Sequence, residues 1–153
     1  MTTATLDAVP LCAALGRLLL EAPDAATDPE AAREYVRLFL NPQGAPCPPW
    51  QSVWEEDPGA RRLLGPAHHG ALGWYREFGF APNLDSEPAD HIGLLLLFYA
   101  MLLDRETPPA QVAAFEKQHL AWVPRFAAAL QQQARTDVMR EAAEVLGELF
   151  PGA

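Results

Sequence analysis

The stretch that most constrains this chain is residues 92–103, Ile-Gly-Leu-Leu-Leu-Leu-Phe-Tyr-Ala-Met-Leu-Leu. From Pro88 to Leu103 the pattern is Leu-rich almost all the way round a helical wheel, which predicts a central helix buried on most sides. Such a helix has to be covered by other elements, and the rest of the chain offers helical chemistry for the purpose. Leu and Ala total 49 residues against 8 for Ile and Val. Leu and Ala favour helices, whereas β-branched residues favour strands. A β-sandwich, a barrel and a parallel α/β sheet are disfavoured on that ground. The expectation is an all-α, single-domain bundle of about six to seven helices over residues 1–153, a length suited to one core.

The covering helices can be placed by periodicity and punctuation. Leu11, Leu15, Leu18 and Leu19 mark a first helix that ends before Pro23. Asp28-Pro29-Glu30 is a helix start, a capping acid followed by a proline whose missing N–H does no harm. Tyr35, Leu38 and Phe39 give that second helix its apolar stripe, and Asn41-Pro42 stops it. Residues 41–66 carry Pro42, Pro46, Pro48, Pro49, Pro58 and Pro66, too broken for a long helix. They also carry Trp50, Val53 and Trp54, and two tryptophans predict an ordered loop with short turns at 51–54 and 58–64. Ala71, Trp74, Tyr75 and Phe78 predict a third helix over 67–78, ended by Gly79. A connector over 81–88 leads into the Leu-rich helix. Thr107-Pro108 opens a helix towards Gln133 that Pro124 should kink or split, with Phe115, Leu120, Trp122, Phe126 and Leu130 inward. Thr136 or Asp137 starts the last helix, with Val138, Ala142, Val145, Leu146 and Leu149.

The formal net charge is −9, with Lys117 the single lysine beside ten arginines. That balance repels phosphate backbones and argues against nucleic acid or an anionic membrane as partner, while it suits a basic peptide. No basic residue precedes Arg17, as a secretory leader would require. The apolar runs fall far short of the roughly 20 residues that cross a bilayer, so a cytoplasmic protein without stable membrane insertion is expected. Cys12 reads as a core residue and Cys47 as an exposed loop thiol, with no CxxC pairing to suggest a zinc site.

The densest chemistry is Glu87-Pro88-Ala89-Asp90-His91, at the predicted start of the Leu-rich helix. Acids there interact favourably with the helix dipole and cap free N–H groups, which is one account of Glu87 and Asp90. A second account is a metal-dependent helical enzyme using Glu87, His91 and His119, with His68 or His69. Only one such Glu/His pair is visible, and at i, i+4 spacing. Ser52 and Ser86 sit in no nucleophile turn, no phosphate-cradling glycine loop exists, and Arg61-Arg62 reads as a solvated pair.

The segment Glu87-Pro88-Ala89-Asp90-His91-Ile92-Gly93-Leu94-Leu95-Leu96-Leu97-Phe98 resembles the E-P-x-D-H signature of the TorD/DmsD/NarJ family of molybdoenzyme chaperones. Pro49-Trp50-Gln51-Ser52-Val53-Trp54 resembles that family's aromatic-x-S-V-aromatic loop. Gly70 to Gly79 resembles its aromatic third-helix block, and Phe115, His119-Leu120, Trp122 and Phe126 resemble its F…HL…W…F stretch. The four blocks stand in the family's order. Leu95 departs from the glutamate that many members carry there, and the Gly-Leu-Leu-Leu-Leu run is nearer the DmsD-like branch. Trp122 also follows His119-Leu120 more closely than that branch's spacing.

The resemblance implies an all-helical cytoplasmic chaperone rather than an enzyme, with no cofactor and no metal of its own. It would bind the N-terminal twin-arginine segment of an apo-molybdoenzyme, restrain export, and assist insertion of the molybdopterin cofactor. A monomer and a domain-swapped dimer are both compatible with it. Arginine pairs with carboxylates through two parallel hydrogen bonds, so Asp90 and Glu87, exposed in a cleft, are the natural partners. Trp50, Trp54, Trp74 and Tyr75 would line a groove for the apolar half of the leader, and His91 would bond Asp90 or the peptide.

Overall fold

The computed structural model describes residues 3–41, 43–85 and 87–152, with side chains from residue 7 onward. Pro42 and Ser86 lie outside the described residues. Eight α-helices and no strand occur among the described residues: α1 (Thr3–Leu20), α2 (Pro29–Tyr35), α3 (Gln51–Trp54), α4 (Pro66–Glu77), α5 (Ile92–Asp104), α6 (Pro109–Phe115), α7 (Val123–Gln133) and α8 (Asp137–Leu149). The count exceeds six to seven because the 51–54 turn is a helix in its own right. The segment opened by Thr107-Pro108 does split: α7 begins at Val123 with Pro124 in its first turn, where a missing N–H costs nothing. The chain forms two compact units, residues 1–20 with 50–122, and residues 21–49 with 123–153.

In the first unit α5 is the buried centre, with Leu94, Leu95, Leu96, Phe98 and Leu102 fully enclosed. Its main neighbour is α1, and the two backbones nearly touch. A Cβ on Gly93 would lie 2.7 Å from the Gly16 carbonyl oxygen, and one on Gly16 would lie 2.9 Å from that of Gly93. Only glycine permits this approach at both positions. The helix starts at Ile92, four residues later than Pro88, because residues 88–91 form a tight turn closed by the His91 N–H on the Pro88 carbonyl at 3.2 Å. Helix α4 ends as its glycine predicts, with Gly79 left-handed at φ 69°.

In the second unit the Asp28 carboxylate caps α2 by accepting from the Ala31 N–H at 3.1 Å. The helix continues through a π turn, Val36–Leu40, that brings Leu38 and Phe39 inward, and Phe39 stacks on Phe126 of α7. Buried Glu34 accepts from the Arg135 N–H at 2.6 Å, and Arg37 donates to the Gln133 carbonyl at 2.7 Å. These two side chains satisfy the backbone where α7 gives way to α8. Thr136 caps α8. Cys47, expected on the surface, is fully buried, its N–H bonded to the Leu38 carbonyl at 3.0 Å.

Candidate functional site

The two motif-bearing loops of the first unit are fastened to each other. Trp50 and His91 form an isolated antiparallel bridge. Around it, the Gln51 N–H donates to the Asp90 carbonyl at 3.1 Å, and the Ser52 N–H donates to Asp90 Oδ2 at 2.9 Å. Asp90 thus supplies acceptors to the first two amides of α3, groups that a single-turn helix cannot satisfy itself. The Trp50 indole N–H donates to Glu87 Oε2 at 2.9 Å. Helix α4 grips the same loop from behind: the Tyr75 hydroxyl donates to the Ala89 carbonyl at 2.6 Å, and the Ala89 N–H donates to His68 Nδ1 at 2.9 Å.

The acids of this loop do not cap α5. His91 does, its Nδ1 accepting from the Gly93 N–H at 2.9 Å, which assigns the ring proton to Nε2. Residues 87–91 are not helical, so Glu87 and His91 do not share a helix face as their spacing predicted.

A second polar cluster ties α3 to the π turn Glu116–Leu120 that follows α6. Gln51 donates to the Gln118 carbonyl and to Glu55 Oε1, both at 2.9 Å, and its Oε1 meets His119 Nδ1 at 2.8 Å. The Trp122 indole donates to the His119 carbonyl at 2.8 Å. Gln51 and Trp122 therefore satisfy two carbonyls that the end of the π turn leaves free. The Trp74 indole donates to Gln118 Oε1 at 2.9 Å, and His119 faces Gly70, where a Cβ would sit 3.2 Å from its ring. Sequence reading passed over Gln51, an unnamed position in the loop motif; its amide beside an aromatic, in a loop dense with proline, was the available signal.

Burial sets the electrostatics. It pushes His91 and His119 down to about 4, so both rings are neutral at ordinary pH. It lowers His68 as well, against the pull of Asp90. Burial raises Glu87, an effect the Trp50 hydrogen bond opposes and the nearby Asp90 reinforces. Tyr75 is held well above its ordinary value by burial and by Asp90.

These positions correct several expectations. Asp90 has 0% exposure, His91 1% and Tyr75 2%, so none of the three offers a side chain to a ligand in this conformation. Asp90 Oδ1 and Ser52 Oγ are buried without a hydrogen bond among the described residues. Glu87, Trp50, Trp54 and Trp74 remain partly exposed. Trp50 meets His91 edge-on, Trp54 lies against Trp122, and Trp74 packs on Phe78, Phe98 and Phe115. Val53, on α3, and Leu63 and Leu64, in the segment that follows it, are 44%, 53% and 59% exposed, and the two leucines are apolar exposures that the sequence did not flag. Arg61 and Arg62 are both exposed, and Arg61 also donates to the Glu55 and Glu56 carbonyls, closing the turn over residues 55–61. The metal-enzyme alternative built on Glu87, His91 and His119 finds no support. No group of three His, Cys, Asp or Glu side chains among the described residues could hold an ion. No helix among them is long and apolar enough to cross a membrane.

Comparison with known proteins gives the arrangement a context. Residues 4–128 match the sequence model of the nitrate reductase delta subunit family. Over 96 residues the chain is 38% identical to the Tat proofreading chaperone DmsD of Salmonella typhi, covering 60% of this chain and 45% of that protein. Over 76 residues it is 34% identical to the chaperone protein TorD of Shewanella amazonensis, covering 49% of this chain and 32% of that protein. The chain thus spans less than half the length of these curated relatives. A redox enzyme maturation protein from Archaeoglobus fulgidus has the same fold, with a TM-score of 0.66 at 22% identity over 93% of this chain and 92% of that one. With most of its length inside the match, the chain belongs to the nitrate reductase delta subunit family, the NarJ/TorD grouping that its motifs resemble.

Proposed function

We propose that residues 1–153 act as one non-enzymatic, cytoplasmic maturation chaperone that binds the N-terminal twin-arginine segment of a molybdopterin oxidoreductase subunit. Family membership supports the general role, and one structural observation carries the site. The two family motifs are locked together so that Glu87, braced by the Trp50 indole, is the loop's partly exposed carboxylate. A guanidinium docking there would gain charge-assisted hydrogen bonds beside an aromatic face, an arrangement better suited to arginine than to lysine. Trp50, Trp54 and Trp74, with exposed Val53, Leu63 and Leu64, supply apolar surface for the hydrophobic part of the leader. Asp90, His91 and Tyr75 serve as positioning residues beneath that surface. The net charge of −9 favours capture of a basic ligand and makes it salt-sensitive.

Titration calorimetry with a synthetic twin-arginine leader and its Lys-Lys counterpart tests this reading. The arginine peptide should bind about tenfold more tightly, and Glu87→Gln should remove most of that preference without lowering Tm. Equal affinities for the two peptides, or a Glu87→Gln variant that discriminates like the wild type, would overturn it.

A further inference from the structure

Both backbone groups of one buried residue, Ala89, are taken by a single helix: the N–H by His68 and the carbonyl by Tyr75. The two side chains stand seven residues apart on α4, two turns along one face, and close on the middle of the Glu87–His91 loop. Their roles differ in one respect. A tyrosine hydroxyl donates at any pH below its ionisation, and Tyr75 is held far from ionising. An imidazole nitrogen accepts only while it carries no proton, so the Ala89 N–H bond exists only with neutral His68, its proton on Nε2. A proton on Nδ1 would set one donor against another and push the loop off α4.

We infer that His68 is a positioning residue for the leader-binding loop, holding Glu87 and Trp50 in register only in its neutral form, so that leader affinity falls as His68 takes up a proton. This rests on the function proposed above. Asp90 faces His68 from the loop and favours the cation, whereas His69, its ring 5.2 Å away on the same helix, opposes it together with burial. The net effect keeps His68 below its ordinary value of 6.5, hence neutral above pH 7. Glu87, raised by its own burial, also titrates on the acid side, so the test has to separate the two.

Substitution by asparagine does so, because its Oδ1 takes the place of Nδ1 as an acceptor and does not titrate. Binding of the synthetic twin-arginine leader to the full chain is measured from pH 7.5 to 5.5, with amide hydrogen exchange at Ala89 recorded alongside. The wild type should lose affinity as His68 takes up its proton, reaching about tenfold once it is protonated, as expected for one part-buried hydrogen bond turned repulsive. His68→Asn should bind within about threefold of wild type at pH 7.5 and stay nearly flat, while His68→Ala should be about tenfold weaker throughout. A His68→Asn profile that tracks the wild type, or a His68→Ala variant of wild-type affinity at pH 7.5, overturns the inference. If the wild type binds no leader at any pH, the proposed function fails and Ala89 exchange judges the clasp alone. Acid-accelerated exchange in the wild type, relative to His68→Asn at each pH, upholds the clasp, and identical protection in the two proteins overturns it.

Discussion

The indole of Trp50 donates to the carboxylate of Glu87 across 2.9 Å and 37 residues of sequence, joining the two most distinctive motifs of the chain at their partly exposed ends. The bond does more than hold the loops together. It opposes the rise that burial and Asp90 impose on Glu87 and so keeps the group charged over a wider pH range. Trp50→Phe should therefore raise the Glu87 pKa further, a shift visible in a carboxyl-carbon NMR titration. An unchanged titration would mean that the indole does not contact the carboxylate in solution.

Asp90 contributes to folding before it contributes to anything else. Asp90→Ala removes the acceptor of the Ser52 N–H and leaves that amide buried and unpaired, a loss of about 1–3 kcal/mol. Thermal unfolding should show a drop of several degrees in Tm, with Asp90→Asn recovering part of it. A fully stable Asp90→Ala protein would contradict the buried position.

Gly93 admits no side chain. Its Cβ would lie 2.6 Å from the Leu20 Cβ and 2.7 Å from the Gly16 carbonyl oxygen, so Gly93→Ala should cost about 1–3 kcal/mol in urea unfolding. Gly147, on α8 with nothing within 4 Å of its Cβ position, is the control. Gly147→Ala should stabilise by about 0.5–1 kcal/mol through helix propensity.

Two buried neutral histidines make the fold acid-sensitive. His91 and His119 sit near 4 when folded and near 6.5 when unfolded, so the unfolded chain takes up protons first. Their contribution is fully present above pH 6.5 and is lost as pH falls through 4, amounting to about 3 kcal/mol each. Urea midpoints should decline over that window. His91→Asn, which keeps an N-cap acceptor but does not titrate, should flatten part of the decline.

Neither cysteine should behave as a reactive thiol. Burial pushes both Cys12 and Cys47 up to about 11, in the case of Cys47 despite the Arg37 guanidinium nearby. The native protein should resist alkylation at pH 8, and both thiols should react once urea unfolds it. Rapid labelling of native Cys47 would place it at the surface after all.

The helices were legible because periodicity and punctuation reach the local backbone directly. Asp28-Pro29 caps α2 as its chemistry requires, Gly79 terminates α4, and Pro124 sits in the first turn of α7, just after the break. The site was legible only as a set of letters. Proximity of Glu87, Asp90 and His91 in sequence suggested one ligand-facing cluster, yet the chain turns through them, burying two and leaving one partly open. Which way a side chain points in an irregular turn depends on distant partners such as Ser52, Tyr75 and His68, and no local pattern encodes those. The π turn at Glu116–Leu120 was equally hidden, because its inserted residue is defined by the backbone it bends and not by composition.

Under the proposed function, the enclosure of Asp90 has a consequence for how leader preference diversifies among relatives. A letter spent on riveting two segments of scaffold has little freedom to distinguish one cargo from another. Discrimination then falls to exposed neighbours that the signature leaves unspecified, the Leu63-Leu64 pair among them. Exchanging those few positions between relatives, with the rivet untouched, is the economical route to a new cargo preference.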